Sequence, residues 1–360
     1  MEKRCFRRSA KPNRKRINLK KNNYKKLVKS FRIMTILPFI SALVSFLVVL
    51  YLTPWLIRYL RKIGLTVKDQ NKNKKPLVPI SGGMAVMSGL FMGVMIYLFF
   101  QTFYFKNTSP TVYIFAGLTT IIMITLVGFI DDLLIKSKDE SSGLKQWQKP
   151  LLTLTAAIPL MVVNAGVTAV WIPFMGRTEL GIIYPLILIP IGVIGAANMV
   201  NLLAGINGLE TGMGIIYTGM LGLYAYANGR ETAALISLLV FASLIGFYLF
   251  NKYPAKILPG DSLTYLLGGS IAVIAIIGNI ERAAIIASVP FFAEFILKWR
   301  SKFKAKSYGY YYKGNVISHH KDKIYSLLHL LTRNGAHTEK QITTFFIVLE
   351  LVFCLLIWVV

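Results

Sequence analysis

The sequence has little charge and few cysteines, and each shortage excludes a class of protein. Charged residues are 16% of the 360 residues and hydrophobic residues are 55%, whereas ordinary soluble domains are about 25% charged. Cys5 and Cys354 stand at opposite ends of the chain, which excludes a disulfide scaffold and a cysteine metal site. Zinc-knuckle, haem-attachment and P-loop motifs are absent from the sequence. The mean hydropathy of +0.57 and the long uncharged runs indicate a membrane protein.

The apolar runs predict an all-α polytopic membrane protein with about ten transmembrane helices, since one span needs roughly 20 apolar residues. An even number of spans places both chain termini on the same side of the membrane. The predicted spans are 33–57, 84–105, 112–130, 151–173, 180–197, 211–227, 233–250, 263–280, 283–297 and 341–360.

The net charge of +26 is spread unevenly over the connections between these spans. Of the 41 Lys and Arg residues, 23 lie in the connections 58–83, 131–150, 198–210, 251–262 and 298–340, and only four lie in the alternate connections. The positive-inside rule therefore places the first set, including the long loop 298–340, in the cytoplasm. Because this rule accounts for the positive charge, no nucleic-acid partner is predicted.

Residues 1–32 conflict with this orientation, because they hold the other 14 basic residues yet lie outside the cell in a ten-span arrangement. Three interpretations are open: an extension before a true start at Met34, a cytoplasmic tail with one span miscounted, or a segment that binds anionic lipid head groups. We expect the first, with a disordered extension over 1–32 and a single membrane domain over 33–360. The charged region is too long for a signal peptide, and no small-residue cleavage site follows it.

Several acids and amides stand at predicted cytoplasmic span ends, where they avoid the cost of about 2.5–3.5 kcal/mol for a carboxylate at mid-membrane. Asp131 and Asp132 end the third span. Neighbouring helix residues point about 100° apart, so both should face a polar cavity or water. Plain solvation of a helix end also explains such a pair. Lys149 opens the next span against the helix dipole, which predicts an anionic partner.

A segment rich in Asn and Gly follows at 198–214. Asn198 and Asn201 are spaced i,i+3 and share a helix face, and the glycines after them let the backbone approach a ligand. Amides beside exposed backbone suit a neutral polar ligand such as a nucleobase or a sugar. Helix–helix packing is the alternative, although it explains one Asn better than three Asn and four Gly.

Three further segments have features of anion or metal binding. Asp261 begins a span, where an acid is either a favourable N-terminal residue or a Mg²⁺ ligand. The basic loop 74–83 ends in a glycine pair whose free amides attract phosphate, or it is a solvated cytoplasmic loop. His319 and His320 have no carboxylate or cysteine at ligand spacing, so contact with an anion or a sugar is favoured over a metal site.

Together these motifs resemble the polyprenyl-phosphate N-acetylhexosamine-1-phosphate transferases of glycosyltransferase family 4, which include the bacterial phospho-muramoyl-pentapeptide translocase. The resemblance covers about residues 34–300. Ala204 stands where bacterial members usually have Asp, which is similar to the eukaryotic and archaeal branch. The Arg-His-Arg element of the eukaryotic branch has no clear copy in the last loop. The matching motifs are Asp131-Asp132, Gly-Leu-x4-Lys at 143–149, Asn-x2-Asn-x3-Gly-x-Asn-Gly-Leu at 198–209 and Gly-Asp-Ser-Leu at 260–263.

The resemblance implies a multi-pass enzyme of the cell membrane with a cytoplasmic active site. It would transfer GlcNAc-1-phosphate or a related HexNAc-1-phosphate from UDP-HexNAc to dolichyl or polyprenyl phosphate, the first step of lipid-linked oligosaccharide assembly for N-glycosylation. Mg²⁺, with Mn²⁺ as an alternative, and a homodimer are also implied. The implied residues are Asp131, Asp132 and Lys149 for catalysis, Asp261 and Asn201 for the metal, and Asn198, Asn201, Gly205, Asn207, Glu210, Leu258, Lys304, Lys306, His319 and His320 for substrate.

Other functions stay open at this point. One is a bacterial-type transferase that uses undecaprenyl phosphate for cell-wall or surface polysaccharide, and a covalent aspartyl-phosphate route is an alternative mechanism. A transporter or flippase is a different class. Transporters usually have an internal repeat and polar groups at mid-membrane, whereas here the polar residues gather at one face and no repeat is detected, which favours an enzyme.

Overall fold

Helices dominate the architecture. The computed structural model describes residues 14–135, 143–145, 147–166, 169–172, 176–320 and 323–359. Short π-helical segments at Phe100–Tyr104 and Tyr184–Leu188 adjoin the second and sixth helices. Among the described residues the α-helices are α1 (Arg14–Lys62), α2 (Gly83–Phe99), α3 (Thr111–Leu134), α4 (Gln148–Thr155), α5 (Ile158–Val162), α6 (Ile189–Leu202), α7 (Leu209–Ala227), α8 (Glu231–Asn251), α9 (Gly260–Gly278), α10 (Glu281–Ala287), α11 (Val289–Arg300), α12 (His329–Thr332) and α13 (Glu339–Leu356).

Six segments of the described chain are long and apolar enough to cross a membrane. They match the first, second, third, fifth, seventh and eighth predicted spans, so a mostly helical, multi-pass architecture is confirmed. These segments are Thr35–Lys62, Gly83–Tyr104, Thr111–Leu134, Tyr184–Leu202, Glu231–Asn251 and Gly260–Gly278.

The other four predicted spans are shorter or more polar than expected. The span predicted at 151–173 contains parts of α4, α5 and a strand, and the span at 283–297 is divided between α10 and α11. Pro159 and Pro290 stand in the first turns of α5 and α11, because proline lacks the N–H that would continue a preceding helix. The spans at 211–227 and 341–360 fall on α7, which is rich in Gly, Thr and Tyr, and α13, which contains Glu350.

Within the described residues, three antiparallel β-hairpins correct the all-α expectation. Each has two short strands joined by a connection within the same loop, a type of element that hydropathy does not detect. The strands are β1 (Thr66–Lys68) with β2 (Leu77–Pro79), β3 (Ala169–Ile172) with β4 (Gly176–Glu179), and β5 (Gly309–Tyr312) with β6 (Asn315–Ser318).

The predicted N-terminal extension over 1–32 falls in two parts. Residues 1–13 lie outside the described residues. Residues 14–32 belong to α1, so this part is helical where the sequence predicted disorder. The division of the chain into an extension and a membrane domain over 33–360 stays a prediction.

Helix α9 lies at the centre of the helical bundle. In its most apolar stretch 83% of the residues are buried inside the protein, against 28% in the corresponding stretch of α1. Helix α3 approaches α9 closely at Gly128, where a Cβ atom would lie within 2.7 Å of the backbone nitrogen of Ser262 and in contact with the carbonyl group of Asp261. The glycine therefore permits α3 to bring its C-terminal residues against the start of α9.

We expect Gly128→Ala to destabilise the fold by about 1–3 kcal/mol, since the methyl group would overlap backbone atoms that cannot rotate away. Gly192→Ala in α6 is the matched control, because nothing lies within 4 Å of a Cβ atom there. Thermal unfolding in detergent should show a melting temperature several degrees lower for the first variant and unchanged or higher for the second. Equal melting temperatures would contradict the close α3–α9 contact.

Candidate active site

Five connections between helices meet at one cavity of about 470 Å³. They are the same five that hold most of the basic residues in the sequence, and seven of the fourteen predicted site residues line the cavity. The lining comprises Val67, Lys68, Asp69, Gln70, Ile80, Ile135, Lys149, Asn201, Leu202, Ala204, Gly205, Ile206, Asn207, Glu210, Leu258, Pro259, Gly260, Asp261, Thr264, Lys298, Ser307 and Tyr308.

Asp132 holds the first turn of α9. It is fully buried, and its carboxylate accepts hydrogen bonds from the backbone N–H groups of Asp261 at 2.7 Å and Ser262 at 3.2 Å. The first turn of a helix leaves such N–H groups without partners, and the residue before α9, Pro259, has no side chain that could cap them. Asp132 does not line the cavity. Its contacts are those of a residue that positions the start of α9.

Gly260 makes this cap sterically accessible. Its φ of +71° lies in the left-handed region, and a Cβ atom there would lie within 2.8 Å of the carboxylate carbon of Asp132. Only glycine meets both conditions without strain. The Gly-Asp-Ser-Leu motif thus combines a turn residue with the acid that the turn places at the cavity.

Lys149 lies between two carboxylates. Its ammonium group pairs with Asp131, and its Nζ is 2.9 Å from Oδ2 of Asp261. Burial lowers the pKa of Lys149, but the charges of Asp261 and Asp131 outweigh burial and raise the pKa above its ordinary value. The ammonium group is therefore charged, and it has the anionic partners that its place at a helix start predicts. Leu144 fixes the second oxygen of Asp131 by donating its backbone N–H at 2.5 Å.

Asn201 extends this chain of contacts into α6. Its Nδ2 donates to Oδ2 of Asp261 at 3.1 Å, and its Oδ1 accepts from the hydroxyl group of Thr264 at 2.9 Å. The Asp261 side chain is 22% exposed, so its carboxylate is reachable from the cavity. The chain Asp131–Lys149–Asp261–Asn201 joins α3, α4, α9 and α6 in a single site.

The oxygen atoms of this chain are suited to a hard cation. Mg²⁺ is usually held by one or two carboxylates together with substrate phosphates, rather than by a full set of protein ligands. Asp261 and Asn201, with Asp131 nearby through Lys149, match that pattern. In the part of the chain that the structure describes, no group of three or more His, Cys, Asp and Glu side chains is arranged to hold a metal by itself.

The loop between α6 and α7 forms another wall of the cavity. Gly205 donates its N–H to Oε1 of Glu210 at 2.7 Å, and its carbonyl oxygen accepts from Nδ2 of Asn71 at 2.7 Å. Asn207 is 3% exposed and is fixed by contacts with other segments. Leu258 lines the cavity, and both its backbone polar groups pair with the chain near β2 and the start of α2.

Five predicted substrate residues lie away from this lining. Asn198 lies one turn before Asn201 in α6 and does not reach the cavity. Its side chain donates to the carbonyl oxygen of Ile194 and, at 3.4 Å, to the hydroxyl of Thr153. The other four belong to the last loop, near the β5–β6 hairpin. They are Lys304 and Lys306, which are exposed, His319, whose ring contacts Tyr308 and Tyr310, and His320, whose ring contacts Tyr325 and His329.

Sequence reasoning missed a polar network beside the Asn207 loop. Asp69, Asn71 and Lys72 lie between β1 and β2, and Glu339 begins α13; Lys72 pairs with Glu339 and lies 3.9 Å from Asp69. The signal available was an acid and an amide inside an otherwise basic loop. Lys298, Ser307 and Tyr308 in the last connection were also missed as cavity residues.

Comparisons of this sequence with known proteins agree on one family. The family described as glycosyl transferase family 4 matches residues 114–279. A protein of Saccharolobus solfataricus with the provisional description UDP-N-acetylglucosamine–dolichyl-phosphate N-acetylglucosaminephosphotransferase is 34% identical over 330 residues, which are 90% of this chain and 96% of the relative. A Sulfolobus acidocaldarius protein of the same description is 33% identical over 88% of this chain and 94% of its own length.

More distant similarity reaches bacterial proteins. The phospho-N-acetylmuramoyl-pentapeptide-transferase of Staphylococcus carnosus is 29% identical over 268 residues, which are 71% of this chain and 81% of the relative. The shared region includes the helices that carry the Asp131–Lys149–Asp261–Asn201 chain, since the family match alone extends from α3 to α9.

Asp132→Asn should lower the melting temperature by several degrees, because a carboxamide can accept only one of the two N–H groups and presents its own NH₂ to the other. Leaving a buried donor without a partner costs about 1–3 kcal/mol. Asp261→Asn is the comparison, since the Asp261 side chain is partly exposed and contacts Lys149 and Asn201 rather than the N–H groups of the helix. Equal losses of thermal stability in the two variants would rule out the capping role.

The titration of Glu210 should make the stability of the fold depend on pH. Burial raises the pKa of Glu210 to about 7, outweighing the hydrogen bonds from its own N–H and that of Gly205, while the charge of Glu339 raises it further. An unfolded Glu has a pKa of about 4.3, so the folded chain binds more protons between these values and loses stability as pH rises through that window.

Glu210→Gln removes this titration and keeps an oxygen that accepts from Gly205. The variant should therefore match the wild-type melting temperature near pH 5 and exceed it near pH 8. A difference between the two proteins that does not change with pH would contradict the raised pKa.

Proposed function

The chain belongs to glycosyl transferase family 4, and we propose that it transfers GlcNAc-1-phosphate from UDP-GlcNAc to dolichyl phosphate or a related polyprenyl phosphate. In this reaction a phosphate oxygen of the lipid attacks the β-phosphorus of UDP-GlcNAc. The bond between that phosphorus and the bridging oxygen breaks, and UMP leaves with the electron pair. The product is a lipid-diphospho-GlcNAc.

One observation carries the proposal: a charged Lys149 lies between the carboxylates of Asp131 and Asp261, at a cavity lined by all five polar connections. Phosphoryl transfer depends on positioning and on charge neutralisation more than on covalent chemistry. A diphosphate and a phosphomonoester repel each other strongly in a cleft of low dielectric constant. The Lys149 ammonium group would offset part of that repulsion. The neighbouring carboxylates could bind a second cation that offsets more of it.

Asp261 and Asn201 would hold Mg²⁺, or Mn²⁺ in its place. When bound, the ion would supply charge neutralisation and Lewis-acid polarisation at the phosphoryl oxygens. Lys149 contributes a positive charge that the protein itself provides, and Asp131 orients it. This division of tasks follows from the contacts, since the Asp261 carboxylate is exposed to the cavity whereas Asp131 is buried.

A carboxylate base is not required for the lipid phosphate. The second pKa of a phosphomonoester is about 6, so at pH 7 most of the nucleophile is already the dianion. Deprotonation therefore contributes at most about tenfold in rate, or roughly 1.4 kcal/mol. We assign Asp132 to holding α9 and Asp131 to orienting Lys149, and direct attack by the lipid is preferred to a covalent aspartyl-phosphate.

The nucleotide would lie against the loop between α6 and α7, with Gly205, Asn207 and the backbone near Leu258 around the uracil. The GlcNAc would extend toward Tyr308 and the β5–β6 hairpin, a region of the last loop that also contains Lys304, Lys306, His319 and His320. These four are proposed sugar or phosphate contacts, and Asn198 is not assigned a role in binding.

We also propose that the site faces the cytoplasm in a ten-span arrangement. The five connections that together hold 23 basic residues line the cavity of about 470 Å³, whereas the connections around 107–113 and 229–235 line a separate cavity of about 410 Å³. The basic connections and the alternate connections thus line different cavities, which supports their placement on opposite sides of the membrane. The positive-inside rule then assigns the basic connections to the cytoplasm. The homodimer stays a prediction from the resemblance.

UMP release by the purified protein tests the proposal, using a panel of UDP-sugars crossed with dolichyl and undecaprenyl phosphates, with and without Mg²⁺. We expect Mg²⁺-dependent release that is fastest with UDP-GlcNAc and dolichyl phosphate. Preference for undecaprenyl phosphate and another UDP-sugar would indicate the bacterial-type reaction, and absence of release with every pair would contradict a transferase.

The rates of UMP release by single-residue variants test the proposed roles. Asp261→Asn should lower the rate of UMP release by about 10²–10³, the size typical of removing one electrostatic group from a transition state. Asp132→Asn should retain measurable release at pH 8–9. Asn198→Ala is the control for Asn201→Ala, because the two amides lie on one helix and only Asn201 lines the cavity. Equal, pH-independent loss in the two Asp variants would contradict these roles.

A further inference from the structure

We infer that Asp69 fixes the orientation of the Asn207 carboxamide and thereby makes the site select a pyrimidine with an N–H at ring position 3. The inference rests on the proposed function, which places the nucleobase at Asn207. It concerns a residue of the β1–β2 connection that none of the motifs contains. The preferred base would be uracil rather than cytosine, which has an acceptor at the same ring position.

Asn207 is held by three hydrogen bonds, two to α13 and one to the β1–β2 connection. Its backbone N–H donates to Oε1 of Glu339 at 2.8 Å, and its carbonyl oxygen accepts from the hydroxyl of Thr343 at 3.0 Å. Its side-chain Nδ2 donates to Oδ2 of Asp69 at 3.0 Å. With the backbone fixed at both polar groups, only rotation of the terminal amide could change what Asn207 presents to the cavity.

Asp69 prevents that rotation. A carboxylate can only accept hydrogen bonds, so the NH₂ group of Asn207 must face it, and the reversed amide would place two acceptor oxygens against each other. Asp69 is itself 5% exposed and fixed, since its N–H donates to the carbonyl oxygen of Pro76 at 3.0 Å and Lys72 lies 3.9 Å from its carboxylate.

The remaining polar atom of Asn207 is therefore an acceptor. Asn207 lines the cavity, and within the described part of the chain no protein donor reaches its Oδ1. Uracil carries N–H at position 3, which can donate to this oxygen. Cytosine carries a lone pair there, which would face the oxygen unfavourably. A site built around a hydrogen bond rejects an analogue that cannot make it.

Glu339 has a different role in the same network. It accepts from the backbone of Asn207 and pairs with Lys72, whose ammonium group also lies 3.7 Å from the ring centre of Tyr253. It does not contact the carboxamide. Asp69 and Glu339 thus share a cation partner and a neighbour, but only Asp69 determines which way the amide points.

Equilibrium binding of UDP and CDP to the purified full-length chain tests the inference. Wild-type protein should bind UDP at least tenfold more tightly than CDP, and N3-methylated UDP should bind at least tenfold more weakly than UDP. In Asp69→Asn the new amide can pair with either face of Asn207, so the UDP/CDP ratio should fall by about tenfold. Glu339→Gln, which removes the same charge, should leave that ratio unchanged.

A reciprocal exchange separates orientation from stability. Asn207→Asp alone places two carboxylates about 3 Å apart and should lose UDP binding. In the double variant D69N/N207D, the new amide at position 69 donates to the new carboxylate at position 207, whose free oxygen is again an acceptor. UDP selectivity should therefore return to within about threefold of wild type. The double variant keeps the wild-type net charge and isosteric side chains.

Several results would overturn the inference: equal loss of UDP and CDP binding in Asp69→Asn, no return of selectivity in a folded double variant, or full wild-type affinity for N3-methylated UDP. The methylated ligand needs no variant, so a misfolded mutant leaves the test intact. Binding and transfer are measured separately. If the protein releases UMP but Asp69→Asn leaves the UDP/CDP ratio unchanged, only this inference is contradicted. Selective UDP binding without any UMP release contradicts only the transferase function.

Discussion

The hydrogen bonds from the first turn of α9 to the Asp132 carboxylate are the contact on which the site depends. They attach the most buried helix of the bundle to the end of α3, and Gly128 and Gly260 make room for them. The geometry explains why two adjacent acids have separate tasks. Asp132 turns inward to hold a helix, and Asp131, one residue earlier, turns toward the Lys149 ammonium group.

The site is nearly balanced in charge at its centre. Two carboxylates share one lysine, and an amide donates to the more exposed acid. Such pairing lowers the cost of placing charges between membrane helices, because each ion has a partner and a hydrogen bond. It also keeps a cation and an exposed carboxylate at the surface of the cavity, which suits a substrate that carries several phosphate charges.

Much of this arrangement could be predicted from the sequence. The uneven distribution of basic residues identified the set of alternate connections that line the cavity. The position of Lys149 at a helix start predicted its anionic partner. The number of long apolar helices could not be predicted, because Pro159 and Pro290 begin new helices inside apolar runs. The hairpins were missed because their strands are only three or four residues long.

Residue pairing was harder to predict than residue type. Asn198 and Asn201 were expected to act together from their spacing, yet α6 ends at Leu202, so only Asn201 is near enough to the loop to contact Asp261. Asp69 and Asn207 are 138 positions apart, and Lys72 and Glu339 are 267 positions apart. Contacts over such distances are set by the packing of whole helices, which local patterns do not specify.

The network around Glu339 has a consequence for how the protein is made. Lys72 leaves the ribosome early and Glu339 late, so the wall of the cavity cannot close until α13 has been synthesised and has joined the bundle. Until then the backbone of Asn207 in the α6–α7 loop lacks its two hydrogen-bond partners, Glu339 and Thr343. Closure of this wall thus couples the α6–α7 loop to a helix that begins 132 residues later in the chain.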